Sequence, residues 1–274
     1  MKTLNMNELL TEKKTERMPA IFVGHGSPMN AIEDSEFSDV WKYIGKSIPK
    51  PKAILSISAH WETKGSYVTA MEKPKTIHDF GGFPAELYRM QYPAEGSPSL
   101  ASQVASIVQN QVHLDYEWGL DHGTWSILVH MFPKADIPVI QLSIDYTKSP
   151  EEYYKLGQEL SQLRDQGILI FGSGNTVHNL RAMYVEDGDF NKELAHDWAT
   201  EFNDKVKDSL LKNTFQDLIN YQTLTPNWRM SVPTPDHYSP LLYILGAQRE
   251  DDDISLFNDK IIAGAIGMTS FVYN

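Results

Sequence analysis

The feature that most constrains the fold of this chain is an alternation of short apolar runs with amphipathic helical segments. Residues 20–23, 53–58 and 168–171 are apolar or small throughout and have the length of buried β-strands. Residues 36–46, after the first run, carry apolar side chains at i, i+3, i+4 and i+7, the spacing of one helix face. Strands that alternate with helices predict an α/β fold: a single domain with a mainly parallel central sheet, flanked by helices on both faces.

The composition limits the classes of function. The 274 residues carry a net charge of −12, which would repel nucleic acids and anionic membrane surfaces. There is no cysteine, so disulfides, thiolate metal sites and a cysteine nucleophile are excluded. No stretch approaches the roughly 20 apolar residues of a membrane span. We therefore expect a cytoplasmic protein, a monomer or a small homo-oligomer, with a polar, flexible tail at residues 1–17 and one domain at residues 18–274.

Three segments later in the chain lead to further structural predictions. The sequence GSG at residues 172–174 predicts a sharp turn after a strand, because glycine adopts turn conformations at little cost. Residues 190–211 repeat apolar side chains at helical spacing and predict the longest helix. Residues 254–272 predict two more strands.

Four of the nine histidines lie at breaks in local structure. His25, His60 and His178 each follow an apolar, strand-like run, and His237 opens or directly precedes a predicted helix. In open α/β sheets, ligands bind outside the carboxyl ends of the strands, where the first three of these side chains are expected. Neutral imidazole is the commonest metal ligand in proteins. The sequence therefore predicts a metal site built from histidines.

The other histidines differ in their surroundings. His122 lies at the predicted N-terminus of a helix, where the helix dipole favours a neutral imidazole acting as a hydrogen-bond donor. We expect His122 to face a substrate, with helix capping as the alternative. His78 lies in a glycine-containing loop, where it either has a functional role or pairs with Asp79 to pin the loop. His196 is predicted to lie on the solvated face of the long helix, and His130 to have a structural role within another helix. No role is assigned to His113.

Five short histidine motifs occur in a fixed order: GHGSP at 24–28, SAHW at 58–61, DHGTW at 121–125, GNTVHN at 174–179 and PTPDHY at 233–238. Together they resemble the class III extradiol ring-cleavage dioxygenases, in particular the DOPA 4,5-dioxygenase branch with its bacterial members. Residues 76–84 are also similar to that branch, and the resemblance covers nearly the whole chain from Met18 onward. It implies that residues 18–274 form a catalytic domain that opens a small catechol such as DOPA with O2.

The resemblance also implies roles for individual residues. In the family, two histidines at early strand ends and a third ligand near the C-terminus hold the metal, and these correspond to His25, His60 and His237. His178 corresponds to an acid/base, or to a further metal ligand when no substrate is bound. His122 corresponds to a histidine that forms a hydrogen bond to the substrate or to oxygen.

The third metal ligand departs from the pattern of the protocatechuate-cleaving relatives, which have a carboxylate there. Here His237 occupies that position, with Asp236 beside it. A four-histidine set of His25, His60, His178 and His237 is compatible with tetrahedral zinc, so we expect one divalent metal ion per chain, Zn²⁺ in the isolated protein. Zinc has no redox chemistry, so turnover with O2 would need Fe²⁺ instead.

Two other functions are compatible with the same pocket. A zinc-dependent hydrolase could use these ligands to activate a water molecule, and a non-enzymatic protein could use the pocket for binding alone. The sequence has no Gly-x-Ser-x-Gly elbow and no His-Glu-x-x-His helix, which argues against common serine hydrolases and zinc peptidases. The order of the five motifs favours the dioxygenase over both alternatives.

Overall fold

The computed structural model describes residues 17–109 and 111–274. The strands of this part of the chain are β1 (Ala20–Gly24), β2 (Ala53–Thr63), β3 (Ser66–Thr69), β4 (Lys75–Thr76), β5 (Val112–Asp115), β6 (Gly119–Leu120), β7 (Val139–Asp145), β8 (Ile168–Gly174), β9 (Ile254–Phe257), β10 (Ile261–Ile262), β11 (Ile266–Gly267) and β12 (Ser270–Tyr273). Eight of them form one sheet with the order β5-β3-β7-β2-β8-β1-β12-β9. The pairs β3–β5, β7–β2, β2–β8 and β8–β1 are parallel, whereas β3–β7 and the pairs that add β12 and β9 are antiparallel. The predicted, mainly parallel sheet is confirmed.

Helices cover both faces of this sheet, as predicted. They are α1 (Glu36–Ser47), α2 (Ala85–Arg89), α3 (Pro98–Ile107), α4 (His122–Met131), α5 (Pro150–Leu160), α6 (Asp197–Lys212), α7 (Phe215–Ile219), α8 (Trp228–Ser231) and α9 (Ser239–Gly246). Successive residues of β1 point to opposite faces, because side chains alternate along a strand. Phe22 packs in the core that contains α3, α5, α6, α7 and α9, whereas Val23 packs in the core that contains α1 and α4.

The predicted long helix at residues 190–211 is wrong in its first part. Helix α6 begins only at Asp197, and the chain before it pairs with the C-terminal segment. The backbone N–H of Leu194 donates to the carbonyl of Ile261, and that of His196 donates to the carbonyl of Gly264. These long-range hydrogen bonds replace the helical ones. The apolar spacing of residues 190–196 therefore reflects packing against another segment and not a helix face.

His196 is consequently not on the solvated face of a helix, as the sequence pattern suggested. It is half-buried at the N-cap position of α6. Its Nε2 donates to the carbonyl of Ala182 at 2.8 Å, and its ring stacks on Trp198 with 5.1 Å between the ring centroids. The prediction failed because the face was assigned from a helix that does not extend to this residue.

Three other boundaries differ from the sequence-based expectation. The GSG sequence at 172–174 ends strand β8 instead of forming a turn. Strand β2 continues past His60 to Thr63, and its register with β7 shifts between Ile57 and Glu62. Residues 254–272 contain four strands, because β10 and β11 pair with each other outside the main sheet.

The expected tail at residues 1–17 lies almost wholly outside the described residues. Its last residue, Arg17, is described, and its guanidinium contacts the carboxylates of Asp165, Asp251 and Asp252 at 3.1, 2.7 and 3.4 Å. These ion pairs attach Arg17 to the domain.

Candidate active site

Adjacent strands bring the predicted site histidines to one edge of the sheet. Strands β1, β8 and β2 are neighbours and parallel, so their carboxyl ends meet. His25 directly follows β1, His60 lies in the carboxyl-terminal part of β2, and His178 lies shortly after β8. His237 comes from the turn that precedes α9, and its carbonyl accepts a hydrogen bond from the N–H of Asn175 at 2.8 Å. The predicted position of His237 just before a helix is confirmed.

Gly174 allows the chain around His237 to reach the end of β8. A Cβ atom at Gly174 would lie 2.1 Å from the carbonyl oxygen of His237, far closer than packing permits. The sequence predicted a sharp turn at this glycine. Its observed role is a close approach between backbones, which brings His237 to the site.

Three of the histidines converge on one point. His25, His60 and His237 each offer one nitrogen, and these nitrogens lie within 4.8 Å of one another. The Nε2 atoms of His25 and His60 are 3.1 Å apart. At zinc–nitrogen distances of 2.0–2.1 Å, two ligands of a tetrahedral ion lie roughly 3.3 Å apart, so this spacing fits a shared metal ion.

The second nitrogen of each converging ring has a partner on the protein. Nδ1 of His25 donates to the Ser173 hydroxyl at 3.0 Å, and that hydroxyl in turn donates to a backbone carbonyl. Nδ1 of His60 lies 3.2 Å from a carboxylate oxygen of Asp79, and Nδ1 of His237 contacts the carboxylate of Asp236. A hydrogen at Nδ1 leaves Nε2 with a free lone pair. This arrangement is typical of metal-binding histidines, whose outer partners fix the tautomer and the ring orientation.

His178 lies beside this trio and not within it. Its ring stacks on His237 with 3.4 Å between centroids and an interplanar angle of 5°. The ligand atoms of His178 group with those of Asp236 and His237, a different set from the trio. Burial, together with the neighbouring His237, lowers the pKa of His178 to about 2, so its imidazole is neutral at neutral pH.

The carboxylate of Asp79 lies between two histidines. Its Oδ2 accepts a hydrogen bond from Nδ1 of His122 at 2.9 Å and also contacts His60, while its Oδ1 accepts the backbone N–H of His122 at 2.9 Å. Burial opposes ionisation of Asp79, but the hydrogen bonds to His122 and His60 outweigh it and lower the pKa of this carboxyl. The alternative in which Asp79 pairs with His78 is wrong, because Nε2 of His78 donates to the carbonyl of Met90 at 2.9 Å.

His122 is the first residue of α4, as predicted. Helix capping is performed by its neighbour Asp121, whose carboxylate accepts the N–H of Thr124 at 3.2 Å. Since Nδ1 of His122 donates to Asp79, the neutral ring presents Nε2 as an acceptor. The expected hydrogen-bond donor is thus corrected to an acceptor.

Burial determines the charge state of most of these rings. Desolvation, followed by the effect of His60, lowers the pKa of His25 well below its ordinary value and lowers that of His122. Desolvation also lowers the pKa of His237 to about 4. For His60, burial acts in the same direction, but the Asp79 hydrogen bond and nearby carboxylates raise its pKa on balance. Neutral imidazole is the form that binds metal ions.

A pocket of about 710 Å³ adjoins the imidazoles, a volume within the range of small-molecule sites. Its lining includes all five site histidines and the exposed carboxylates of Glu33 and Asp189. Apolar side chains form much of the remaining wall: Pro28, Met29, Phe83, Leu180, Met183, Phe190 and Ile266. The pocket can therefore take an aromatic ring against the imidazoles and leave a polar substituent near the carboxylates.

Two further histidines lie outside this pocket. Nε2 of His130 donates to the carbonyl of Asn30 at 2.6 Å, which confirms its structural role in α4. His113 is exposed on β5, at the edge of the sheet, with its ring 5.4 Å from that of Tyr67.

Sequence reasoning missed Asp79 and Ser173 as partners of the site. Asp79 was considered only as a partner of the adjacent His78, although its actual partner His122 is 43 residues away. Ser173 was interpreted only as the middle of a glycine turn. A polar residue between two glycines at the end of a buried strand was the available signal, because burial requires its hydroxyl to find a partner.

Comparisons with known proteins agree with the geometry. A family model described as the catalytic LigB subunit of aromatic ring-opening dioxygenase matches residues 19–269. The 4,5-DOPA dioxygenase extradiol of Escherichia coli (strain K12) is 46% identical over 261 residues, covering 93% of this chain and 94% of that protein. The 4,5-DOPA dioxygenase extradiol of Beta vulgaris is 38% identical over 263 residues, covering 92% and 95%. A crystal structure of an uncharacterized protein from Escherichia coli K12 superposes with a TM-score of 0.81 at 41% identity, covering 94% of this chain and 100% of that chain.

Within the described residues, no helix has both the length and the apolar character to cross a membrane. The family match spans all five histidine motifs, from residue 24 to residue 238, and the predicted family is confirmed. The chain belongs to the LigB family of aromatic ring-opening dioxygenases, and it is an extradiol ring-cleavage dioxygenase.

Proposed function

We propose that this dioxygenase opens the ring of DOPA, or of a catechol with a similar side chain, at a single metal ion held by His25, His60 and His237. The observation that carries the proposal is the convergence of three imidazole nitrogens, each with an anchored Nδ1, on a pocket of about 710 Å³. Two curated relatives with 46% and 38% identity are named 4,5-DOPA dioxygenase extradiol, which supports DOPA as the substrate.

The converging donor atoms are nitrogens of imidazole rings, which suits either Zn²⁺ or Fe²⁺. We propose Zn²⁺ in the isolated protein and Fe²⁺ in the active enzyme. When bound, Fe²⁺ supplies the redox chemistry through which O2 reacts with the ring, whereas Zn²⁺ has none.

His178 is proposed to act as an acid/base on the substrate. Its ring lines the pocket and stacks on His237, so a catechol hydroxyl near the trio comes within reach of an imidazole nitrogen. That nitrogen takes the hydroxyl proton and later returns it. The role as a fourth resting ligand is less favoured, because the ligand atoms of His178 do not group with those of His25 and His60.

His122 is proposed to bind and orient the substrate. Its Nδ1 is held by Asp79, so Nε2 can accept a hydrogen bond from the second catechol hydroxyl. A ring with a lone pair in this position orients the hydroxyl and leaves the protonation of the substrate to His178. The apolar wall of the pocket excludes water from the aromatic ring.

The substrate side chain is proposed to lie near Glu33 and Asp189. Lysine and arginine are absent from the described residues that line the pocket, so its fixed charges are negative. An ammonium group, as in DOPA, is therefore favoured over a side chain that is only anionic. We further propose that the enzyme works in the cytoplasm as a monomer or a small homo-oligomer, which agrees with a chain that has no cysteine.

Oxygen uptake with DOPA tests the proposal. The protein is purified anaerobically and reconstituted separately with Fe²⁺ and Zn²⁺, and its metal content is measured. We expect Fe²⁺-dependent uptake and a yellow ring-opened product. Absence of uptake with any catechol at stoichiometric metal would contradict the proposal and favour a zinc-dependent hydrolase or a binding protein.

A further inference from the structure

Asp79 connects two histidines that the proposed function uses in different ways. One carboxylate oxygen lies 2.9 Å from Nδ1 of His122 and 3.2 Å from Nδ1 of His60. The other oxygen accepts the backbone N–H of His122 at 2.9 Å. The two rings lie close together, with 3.9 Å between their centroids. A single side chain therefore contacts both a proposed metal ligand and the proposed substrate-binding histidine.

An ionised carboxylate can only accept hydrogen bonds. The hydrogen bond at 2.9 Å therefore requires a hydrogen on Nδ1 of His122, and the same carboxylate, 3.2 Å from Nδ1 of His60, favours that tautomer there as well. Each ring then leaves a lone pair on Nε2. We infer that Asp79 is a positioning residue that fixes the tautomers of His60 and His122 together, so that one ring can bind the metal while the other accepts a substrate hydroxyl. This inference rests on the proposed function for the roles of the two rings, but the tautomer assignment itself does not.

The loop that carries Asp79 has anchors that do not involve its carboxylate. The N–H of Ile77 donates to the carbonyl of Leu120 at 2.7 Å, and the indole N–H of Trp125 donates to the carbonyl of Ile77 at 2.8 Å. The side chain of Thr76 accepts the N–H of Tyr92 at 2.9 Å. Because these contacts hold the loop, a change at Asp79 that keeps its shape will act on the imidazoles before it acts on the fold.

Asp79→Asn is the most informative variant, because asparagine has the same shape as aspartate but carries a hydrogen-bond donor, the amide NH2 group, in place of one carboxylate oxygen. Its amide oxygen can still accept the backbone N–H of His122, which turns the amide nitrogen towards the two rings. That nitrogen donates, so a ring that accepts it at Nδ1 must move its hydrogen to Nε2. Nε2 of that ring then has no lone pair to offer to the pocket, so the binding of the metal to His60 and of the substrate to His122 becomes weaker.

Metal affinity is measured first and without any catechol. Full-length metal-free protein is titrated with Co²⁺, read by its visible absorption, and with Zn²⁺ in competition with a chelator. We expect Asp79→Asn to bind both ions about 10- to 100-fold more weakly than the wild type, the range typical for loss of an outer partner of a ligand. Unchanged affinity would overturn the inference for His60.

Nitrogen-15 spectra of the imidazoles provide a readout that loss of loop packing alone would not move. In the wild type we expect His60 and His122 as Nδ1–H tautomers, and in Asp79→Asn a shift of at least one towards Nε2–H. Wild-type tautomers in the variant would overturn the inference, even if activity fell.

The matched control is Asp145→Asn. Asp145 is also a buried carboxylate at the end of a strand, where it accepts hydrogen bonds from Gly65 and Thr147, and it is not among the described residues that line the pocket. We expect its metal affinity and imidazole tautomers to equal those of the wild type. Equal losses in Asp145→Asn and Asp79→Asn would assign the effect to general destabilisation and overturn the inference.

A double variant tests the second half of the inference at saturating Fe²⁺. If Asp79 acts on turnover through His122, Asp79→Asn lowers kcat/KM, and adding His122→Ala causes little further loss, because effects along one path do not add. Fully additive losses would overturn this half. A wild type that binds metal but opens no catechol would refute the proposed function, while the metal and tautomer measurements would still test the inference.

Discussion

Two buried polar clusters lie at opposite ends of the same parallel strands, and they are built in opposite ways. At the amino ends, the guanidinium of Arg164 is fully buried and donates to the carbonyls of Met18, Ala247 and Tyr273. It also forms a two-pronged ion pair with Asp252. At the carboxyl ends, four imidazoles of the site are each held by the protein through Nδ1, those of His25, His60, His122 and His237.

This difference separates a structural cluster from a functional one. The donors of Arg164 face protein acceptors, whose hydrogen bonds offset the desolvation cost of burying the charge. The cluster thereby connects the segments before β1 and β8 with the end of β12. In the site, one nitrogen each of His25, His60 and His237 lies close to the other two beside a pocket, where another molecule or ion can use their lone pairs. Three converging nitrogens with unused lone pairs do not stabilise the fold, so their convergence indicates a binding site.

The largest effect is expected from removing one converging nitrogen. His60→Ala should abolish stoichiometric metal binding and reduce catechol-dependent oxygen uptake to background, since two imidazoles hold a divalent ion far more weakly than three. Metal analysis and oxygen uptake measure this. Thermal unfolding gives the contrast with the structural cluster: added Zn²⁺ should raise the Tm of the wild type by mass action, but not that of the variant. Retained metal and activity would remove His60 from the metal site.

The next effect concerns a histidine proposed to act on substrate and not to hold metal. His178→Ala should lower kcat by about 10²–10⁴, the usual contribution of a positioned acid/base, while the variant keeps its metal. Steady-state kinetics with Fe²⁺-loaded protein and parallel metal analysis check both parts. Full activity would exclude the acid/base role, and loss of the metal would instead make His178 a ligand.

Arg164→Met tests the opposite end of the strands. It leaves the buried carboxylate of Asp252 with the backbone N–H of Arg249 and the longer contact to Arg17, but without its buried counter-charge. Breaking a buried pair in this way typically costs about 3–5 kcal/mol. We expect the free energy of unfolding in urea to fall by about this amount, while the folded variant still binds one metal ion. Arg249→Gln is the control, because this exposed pair with Asp165 should contribute at most about 1 kcal/mol. Loss of metal binding in folded Arg164→Met would contradict the separation of the two clusters.

The smallest effect is expected at the outer part of the pocket. Glu33→Gln should raise KM for DOPA about two- to fivefold, in line with the modest strength of exposed ion pairs, and leave kcat nearly unchanged. The KM for a catechol with an uncharged side chain should not change. An equal rise for both substrates would mean that Glu33 shapes the pocket instead of recognising the ammonium group.

Much of the fold followed from local patterns in the sequence. The strand at residues 20–23 and the helix at residues 36–46 were located to within one residue, because side-chain periodicity is a property of consecutive residues. The failures occurred where a distant segment replaced local hydrogen bonds. Residues 190–196 have helical spacing, yet they precede the helix, and residues 193–196 pair with residues 261–264.

The kind of side chains that form the site could likewise be predicted from the sequence. Five histidine motifs in order, an absence of cysteine and strand-like runs before three of the histidines predicted a nitrogen-rich site in the dioxygenase family. These features depend on which residues are present and on what immediately precedes them. They do not depend on the distances between side chains.

The tertiary structure alone decided how the histidines divide their roles. In the folded chain, the ligand atoms of His178 do not group with those of His25 and His60. Asp79 contacts His122 and His60 instead of His78. The absence of a side chain at Gly174 lets the backbone of His237 approach β8. Hydrogen-bond partners and ligand groups are set by distances of about 3 Å between side chains that are far apart in sequence. A linear pattern carries no information on such distances, so these assignments required the folded chain.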